Sequence, residues 1–166
     1  MKRRRFLALS ILIALSHGSR ANITAHRTGL VLDERFSQHL INSSHPESPA
    51  RYQAITEQLF EQNIIDSVSM IAAKKDAEKW LELVHPQQHI DSIKTKNPIT
   101  HEHALLATAS VLACVDAIFS GEVDNAFCAS RPPGHHASNT GEEEGFCYYN
   151  HVAIAARYAQ KNYDSE

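Results

Sequence analysis

The sequence predicts an α/β domain built on a parallel sheet, and three observations carry that prediction. Glu102–Phe119 sets Leu105, Thr108, Leu112, Val115 and Phe119 on one stripe at three- and four-residue steps, the period of an amphipathic helix. Ala104, Ala107, Ala109, Ala113 and Ala117 in the same segment let a helix pack closely on a sheet. Asn125–Ala129 then reads as a short, apolar, buried strand, followed by a loop over 130–149 and a helix that Asn150 opens and that runs through Lys161. The order helix, strand, loop, helix belongs to a parallel sheet. Sites in such sheets form at the carboxyl ends of strands, so the chemistry is expected in the loop leaving Ala129.

The other elements follow in chain order. Gly29–Leu32 is a short apolar run expected as a strand, leading into a polar loop. Ser48 and Pro49 start a helix as N-cap and first helical residue, where the missing proline N–H costs nothing. Tyr52, Ile55, Leu59 and Phe60 recur at helical spacing and form its expected apolar face, with Asn63 as the stop. Val68–Ala72 reads as a buried strand. Asp76 is expected to cap a short helix through Val84, with Trp80, Leu81 and Val84 inward. A further helix starts near Pro86 and ends before Pro98, and Gly121 supplies the C-cap of the long helix.

The 166 residues are enough for one domain with a core, and 43% hydrophobic with 21% charged residues suits a soluble fold. Charge is uneven. Five of the 16 Lys and Arg lie in the first 21 residues; the remaining 11 face 19 carboxylates, which leaves the rest of the chain near −8. An acidic body argues against nucleic-acid binding. Residues 1–21 read as a cleavable leader: Lys2–Arg5 are basic, Phe6–Leu15 are apolar but short for a bilayer, and Ser19 and Ala21 suit cleavage before Asn22. Arg3, Arg4 and Arg5 before Phe6 also resemble a twin-arginine export signal. The expectation is an exported, periplasmic protein with no stable membrane span once the leader is gone; a cytoplasmic protein is the alternative. Cys114, Cys128 and Cys147 are odd in number, lack CxxC spacing and sit among apolar residues, so free thiols are expected.

Two segments stand out chemically, Arg131–Ala137 (RPPGHHA) and Gly145–His151 (GFCYYNH). Pro132 and Pro133 stiffen the backbone and Gly134 permits an unusual turn, so the main chain holds His135 and His136. Adjacent side chains diverge, which suits a pair with one imidazole near a substrate and one behind it. A histidine near neutral pKa is the usual base for activating water; a tight turn whose histidines satisfy carbonyls is the alternative. Gly145 and Phe146 suggest close backbone approach to a ligand beside an aromatic wall, as in a narrow apolar channel; a helix-entry loop whose Phe packs in the core is the alternative. His85 and His89 stand at i, i+4, but no HExxH acid accompanies them and Pro86 lies between, so packing is favoured over metal binding. His101 and His103 flank Glu102 at a helix start and are expected to be exposed. Glu142–Glu144 read as a solvated acidic rim, with attraction of a cationic substrate as the alternative.

His45–Arg51 (HPESPAR), Arg131–Ala137, and Gly145–Asn150 followed by Val152–Arg157 (VAIAAR) resemble the histone deacetylase family, including bacterial histone deacetylase-like and acetylpolyamine amidohydrolases. The resemblance runs from about Gly29 to the C-terminus and divides the chain into a leader, 1–21, and residues 22–166. It implies an arginase/deacetylase-like three-layer fold, a central parallel sheet between helices, with this chain spanning about its N-terminal half. It also implies zinc-dependent hydrolysis of an acetamide on a lysine-like or polyamine amine. His136 would be the general base, and His135 its electrostatic or acid partner. Gly145 and Phe146 would line the substrate channel, with Cys147 behind and Arg51 as the buried arginine near an inner cavity. The family's Asp-x-His pair, later Asp and tyrosine have no counterpart within 1–166, so the metal ligands are expected beyond Glu166 and the chain alone is expected to be inactive. The link Lys94–Thr100 is short and lacks the acidic residues that hold a substrate backbone. An inactive remnant, or a module binding acetylated amines or a partner, is the alternative, and an exported metal- or polyamine-binding module is a third reading.

Overall fold

The computed structural model describes residues 26–73 and 76–165, so the leader expected at 1–21 lies outside the described residues. Three parallel strands form one sheet in the order β2-β1-β3: β1 is Thr28–Val31, β2 Ser69–Met70 and β3 Asn125–Cys128. In register, Leu30 faces Met70 on one side and Phe127 on the other. The helices are α1 (Pro49–Glu61), α2 (Glu78–Leu81), α3 (Gln87–Lys96), α4 (Pro98–Phe119) and α5 (His151–Tyr163), with 3-10 turns at Glu34–Gln38 and Ile64–Ser67.

Helix α4 is the centre of the structure. It begins four residues before the expected start because Pro98 serves as the first helical residue after Asn97. All five of its spaced alanines are buried, so α4 lies close to the strands on one side and to α3 and α5 on the other. That two-sided burial explains why α4 is apolar enough in length and composition to pass for a membrane span. Ala113, Cys114 and Ala117 meet Val31, Ile71 and Val123 against the sheet. Ala104 and Leu112 meet Leu81, Ile90, Ile93, Tyr149, Ile154 and Tyr158 on the other side. Gly121, at φ 74, ends the helix as expected.

Several expectations change. Val68–Ala72 is not a buried strand: only Ser69 and Met70 pair, both exposed, because β2 stands at the sheet edge. β3 is a second edge, so Asn125 and Phe127 are exposed rather than buried. On α1 only Tyr52 is buried, while Ile55 and Phe60 face outward. Asp76 pairs with Lys79 instead of capping α2, which starts after Ala77 and ends at Leu81. The three thiols are free, as expected.

A buried ion pair fixes where the functional loop lies. Arg131, three residues beyond β3, donates from Nε to Glu47 Oε1 and from Nη2 to Glu47 Oε2 at 2.9 Å. It also donates to the carbonyls of Phe36 and His39 (Nη2 to His39 O at 3.0 Å). His39 Nδ1 donates to Glu47 Oε2 at 3.0 Å. Glu47 is 1% exposed, Arg131 4% and His39 0%. Burial alone would raise the Glu47 pKa, but the hydrogen bonds from His39 and Arg131 outweigh it and hold the carboxyl below its ordinary value. Replacing Glu47 by Leu leaves a buried guanidinium without its counter-charge. It should lower unfolding free energy by about 3–5 kcal/mol, measured as a lower denaturant midpoint.

Candidate active-site wall

The loop from Ser130 to Asn150 leaves the carboxyl end of β3, as the parallel sheet requires. His135 and His136 are both exposed, with ring centroids 4.3 Å apart. The turn that presents them depends on space. A Cβ on Gly134 would sit 1.9 Å from His151 Cδ2, so the imidazole of the first residue of α5 forms the floor beneath the turn. Gly134 does not lie in the left-handed region, so its need is room rather than an unusual φ. His151 is buried, with Nδ1 2.9 Å from Thr108 Oγ1 and Nε2 3.4 Å from the Pro132 carbonyl oxygen. Burial pushes its pKa down to about 4, so it is neutral at pH 7.

Gly145 lies against His136: a Cβ there would lie 2.8 Å from His136 Cδ2. Its φ of 54 also favours glycine. Phe146 follows at φ 69, uncommon for a bulky residue, and its N–H donates to Glu143 Oε1 at 2.6 Å. Its ring is about one-third exposed and meets His45 edge-on, 4.9 Å between centroids. Cys147 is fully buried, and its sulfur accepts from the His135 N–H at 3.4 Å. His135, His136, Gly145, Phe146 and Cys147 thus come together on one wall.

Arg51 does not occupy the buried position that the resemblance implies. It is exposed in the first turn of α1 and lines a cavity of about 110 Å³ together with Glu47, Tyr52, Ala129, Arg131 and Phe146. The buried arginine is Arg131, because Glu47 of the HPESPAR segment turns inward and draws in the guanidinium that β3 delivers.

Side chains outside the two motifs hold the loop. His85 and His89 are both 1% exposed and bond to Asn139, Gly141, Tyr148 and Asn150, so both rings take part in packing. His101 is buried rather than exposed, with Nδ1 2.6 Å from Tyr149 Oη. The acidic run is more than a solvated rim. Glu144 accepts from the Ser138 N–H and hydroxyl, both at 2.6 Å, which holds its carboxyl below its ordinary pKa, and Glu142 pairs with Lys96 at 3.1 Å. Asn150 caps α5 as expected, accepting from the Ala153 N–H. Asn97 alone separates α3 from α4, so Lys94–Thr100, expected as a loop, is helical apart from that residue. Among the described residues no group of three or more His, Cys, Asp or Glu side chains could hold a metal.

Comparison with known proteins follows the same lines. Residues 45–166 match the family model described as histone deacetylase domain. Histone deacetylase 5 of Arabidopsis thaliana is 32% identical over 164 residues, covering 85% of this chain and 25% of that protein. Polyamine deacetylase HDAC10 of Danio rerio is 27% identical over 164 residues, covering 84% of this chain and 24% of that protein. A crystal structure of the HDA15 HD domain superposes with a TM-score of 0.73 at 30% identity, covering 82% of this chain and 44% of that one. The chain therefore spans about a quarter of these curated relatives and under half of the solved domain.

Gly134→Ala should drive a methyl group into the His151 ring and lower stability by at least about 2 kcal/mol. Removing that ring as well, in the Gly134→Ala/His151→Ala double variant, should give a loss smaller than the sum of the two single losses, read by thermal or denaturant unfolding.

Proposed function

The chain belongs to the histone deacetylase family, and from that premise we propose that it supplies the His135–His136 wall of a site that hydrolyses an acetamide on a lysine-like or polyamine amine. The observation that carries this reading is the pair of exposed imidazoles beside Gly145 and Phe146, on a loop anchored from below by buried groups. A relative named as a polyamine deacetylase supports the polyamine alternative, and one named as a histone deacetylase supports lysine-like amines.

In this reading His136 takes a proton from the attacking water as its oxygen bonds to the acetyl carbon. The proton passes to the departing amine nitrogen as the C–N bond breaks. His135 assists as an electrostatic or acid partner, and Gly145 and Phe146 line the path of the aliphatic chain. Zinc is the cofactor that the family resemblance implies, but the described residues do not form a ligand set for it. Its ligands would come from outside residues 1–166.

Residues 1–166 by themselves should show neither stoichiometric zinc by elemental analysis nor turnover of an acetyl-lysine reporter. In a longer form that carries a metal-ligand half, His136→Ala should lower kcat by about 10²–10⁴-fold. Retained turnover in that variant would overturn the role given to His136.

We also propose that residues 1–21 direct export and are removed, leaving 22–166 as the mature segment. Amino-terminal sequencing of the protein recovered from a periplasmic fraction should then begin at Asn22; an intact Met1 in the cytoplasm would exclude this.

A further inference from the structure

We propose that His85 and His89 are positioning residues for the candidate site, holding the loop over 139–150 through two ring nitrogens that accept hydrogen bonds only while the rings are neutral. The connection to catalysis rests on the deacetylase reading; the effect on the loop does not.

The geometry assigns both tautomers. A backbone N–H can only donate, so His85 Nε2, 2.8 Å from the Asn150 nitrogen, carries a lone pair. The ring proton is then on Nδ1 and is donated to Asn139 Oδ1 at 2.6 Å. In His89 the roles reverse. Nδ1 accepts from the Gly141 N–H at 2.9 Å, and Nε2–H donates to the Tyr148 carbonyl at 2.8 Å. The two rings stack with centroids 4.7 Å apart and planes 19° from parallel. Four loop positions, 139, 141, 148 and 150, are thereby tied to the start of α3, and they bracket Gly145 and Phe146.

Protonating either ring would turn an acceptor into a donor facing another donor, and would place a charge where the ring is sealed from water. Charging both would bring two cations together in the stack. The groups around them offer little relief. Tyr149 lies against both rings, with centroids at 5.5 and 5.9 Å. His101 bonds to Tyr149, and His151 borders the loop from α5. On the loop side, Glu144 is held by Ser138, and Glu142 is paired with Lys96, which also reaches the Gly141 carbonyl oxygen. Burial, with the neighbouring His89, pushes the His85 pKa below its ordinary value despite the Asn139 bond. A histidine whose folded pKa is lowered gives stability that is present at neutral pH and is lost as pH falls below the unfolded value, so the loop should loosen on acidification.

The test uses the full 166-residue chain, labelled with ¹⁵N. Long-range imidazole spectra at pH 7.5 should show the Nδ1–H tautomer for His85 and the Nε2–H tautomer for His89. Hydrogen-exchange protection of the Gly141 and Asn150 amides, corrected for intrinsic rates, should fall about tenfold or more between pH 7.5 and 5.0 relative to Leu112 in α4. His89→Gln, which accepts and donates without titrating, should keep Gly141 protected and remove its pH step, whereas His89→Leu should lose protection at both pH values. The proposal fails if the spectra show both rings protonated at pH 5.0 while the two amides stay equally protected. It also fails if the pH step at Gly141 survives in His89→Gln. A change in turnover of His136→Ala bears on the deacetylase reading alone and leaves these measurements unaffected.

Discussion

Glu47 and Arg131 stand 84 residues apart in sequence, and their buried pair is the contact on which the rest of the site's placement depends. Removing both charges from water is expensive, and such pairs give little net stability unless every polar atom is satisfied. Here the guanidinium reaches both carboxylate oxygens and two carbonyls, and the carboxylate also accepts from His39. Several protein partners for each group, in a pocket closed to water, specify one arrangement. The segment carrying His45–Arg51 can meet the end of β3 in only one register, and the edge of Phe146 then meets His45. The pair therefore acts on geometry more than on stability: it decides which side of the sheet end the two exposed imidazoles occupy.

The loop's other anchors are also histidines, and imidazole chemistry accounts for this. A neutral ring donates from one nitrogen and accepts at the other, so a single side chain can satisfy a backbone N–H and an oxygen in the same buried space. His85 and His89 do this in opposite tautomers, while His101 and His151 engage Tyr149 and Thr108. A lysine there would lack an acceptor, and a carboxylate would lack a donor. The buried histidines thus divide from the exposed pair at 135 and 136: the first group is used by the fold, the second faces outward.

How far the sequence is legible depends on whether the deciding contacts are local. The alanine spacing in α4, proline at the start of α1, Asn150 as a cap and Gly121 as a stop are all set within a few residues, and all appear as read. Exposure of Ser69, Met70, Asn125 and Phe127 depends on which strands stand at the sheet edge, which an apolar run cannot announce. The identity of the buried arginine was hidden for a related reason. Arg51 and Arg131 both lie in notable motifs, and only the inward turn of Glu47 separates them. The burial of His101 likewise follows from the distant Tyr149. That His135, His136, Gly145 and Phe146 lie together was legible because His135 to Phe146 is a single loop.

Two of the three glycines between 130 and 149, Gly134 and Gly145, lie where a side chain would collide with an imidazole. At Gly145 a side chain is opposed twice, by a φ of 54 and by the ring of His136. At Gly134 only the second reason holds, since the backbone there does not require glycine and the His151 ring fills the space a methyl group would take. A glycine beside two prolines invites the reading of a flexible corner, yet here it is a point of close packing. One histidine beneath Gly134 and one beside Gly145 make the turn a layered stack of imidazole and bare backbone. In that stack the ring at position 136 rests against the bare backbone of Gly145 and remains exposed.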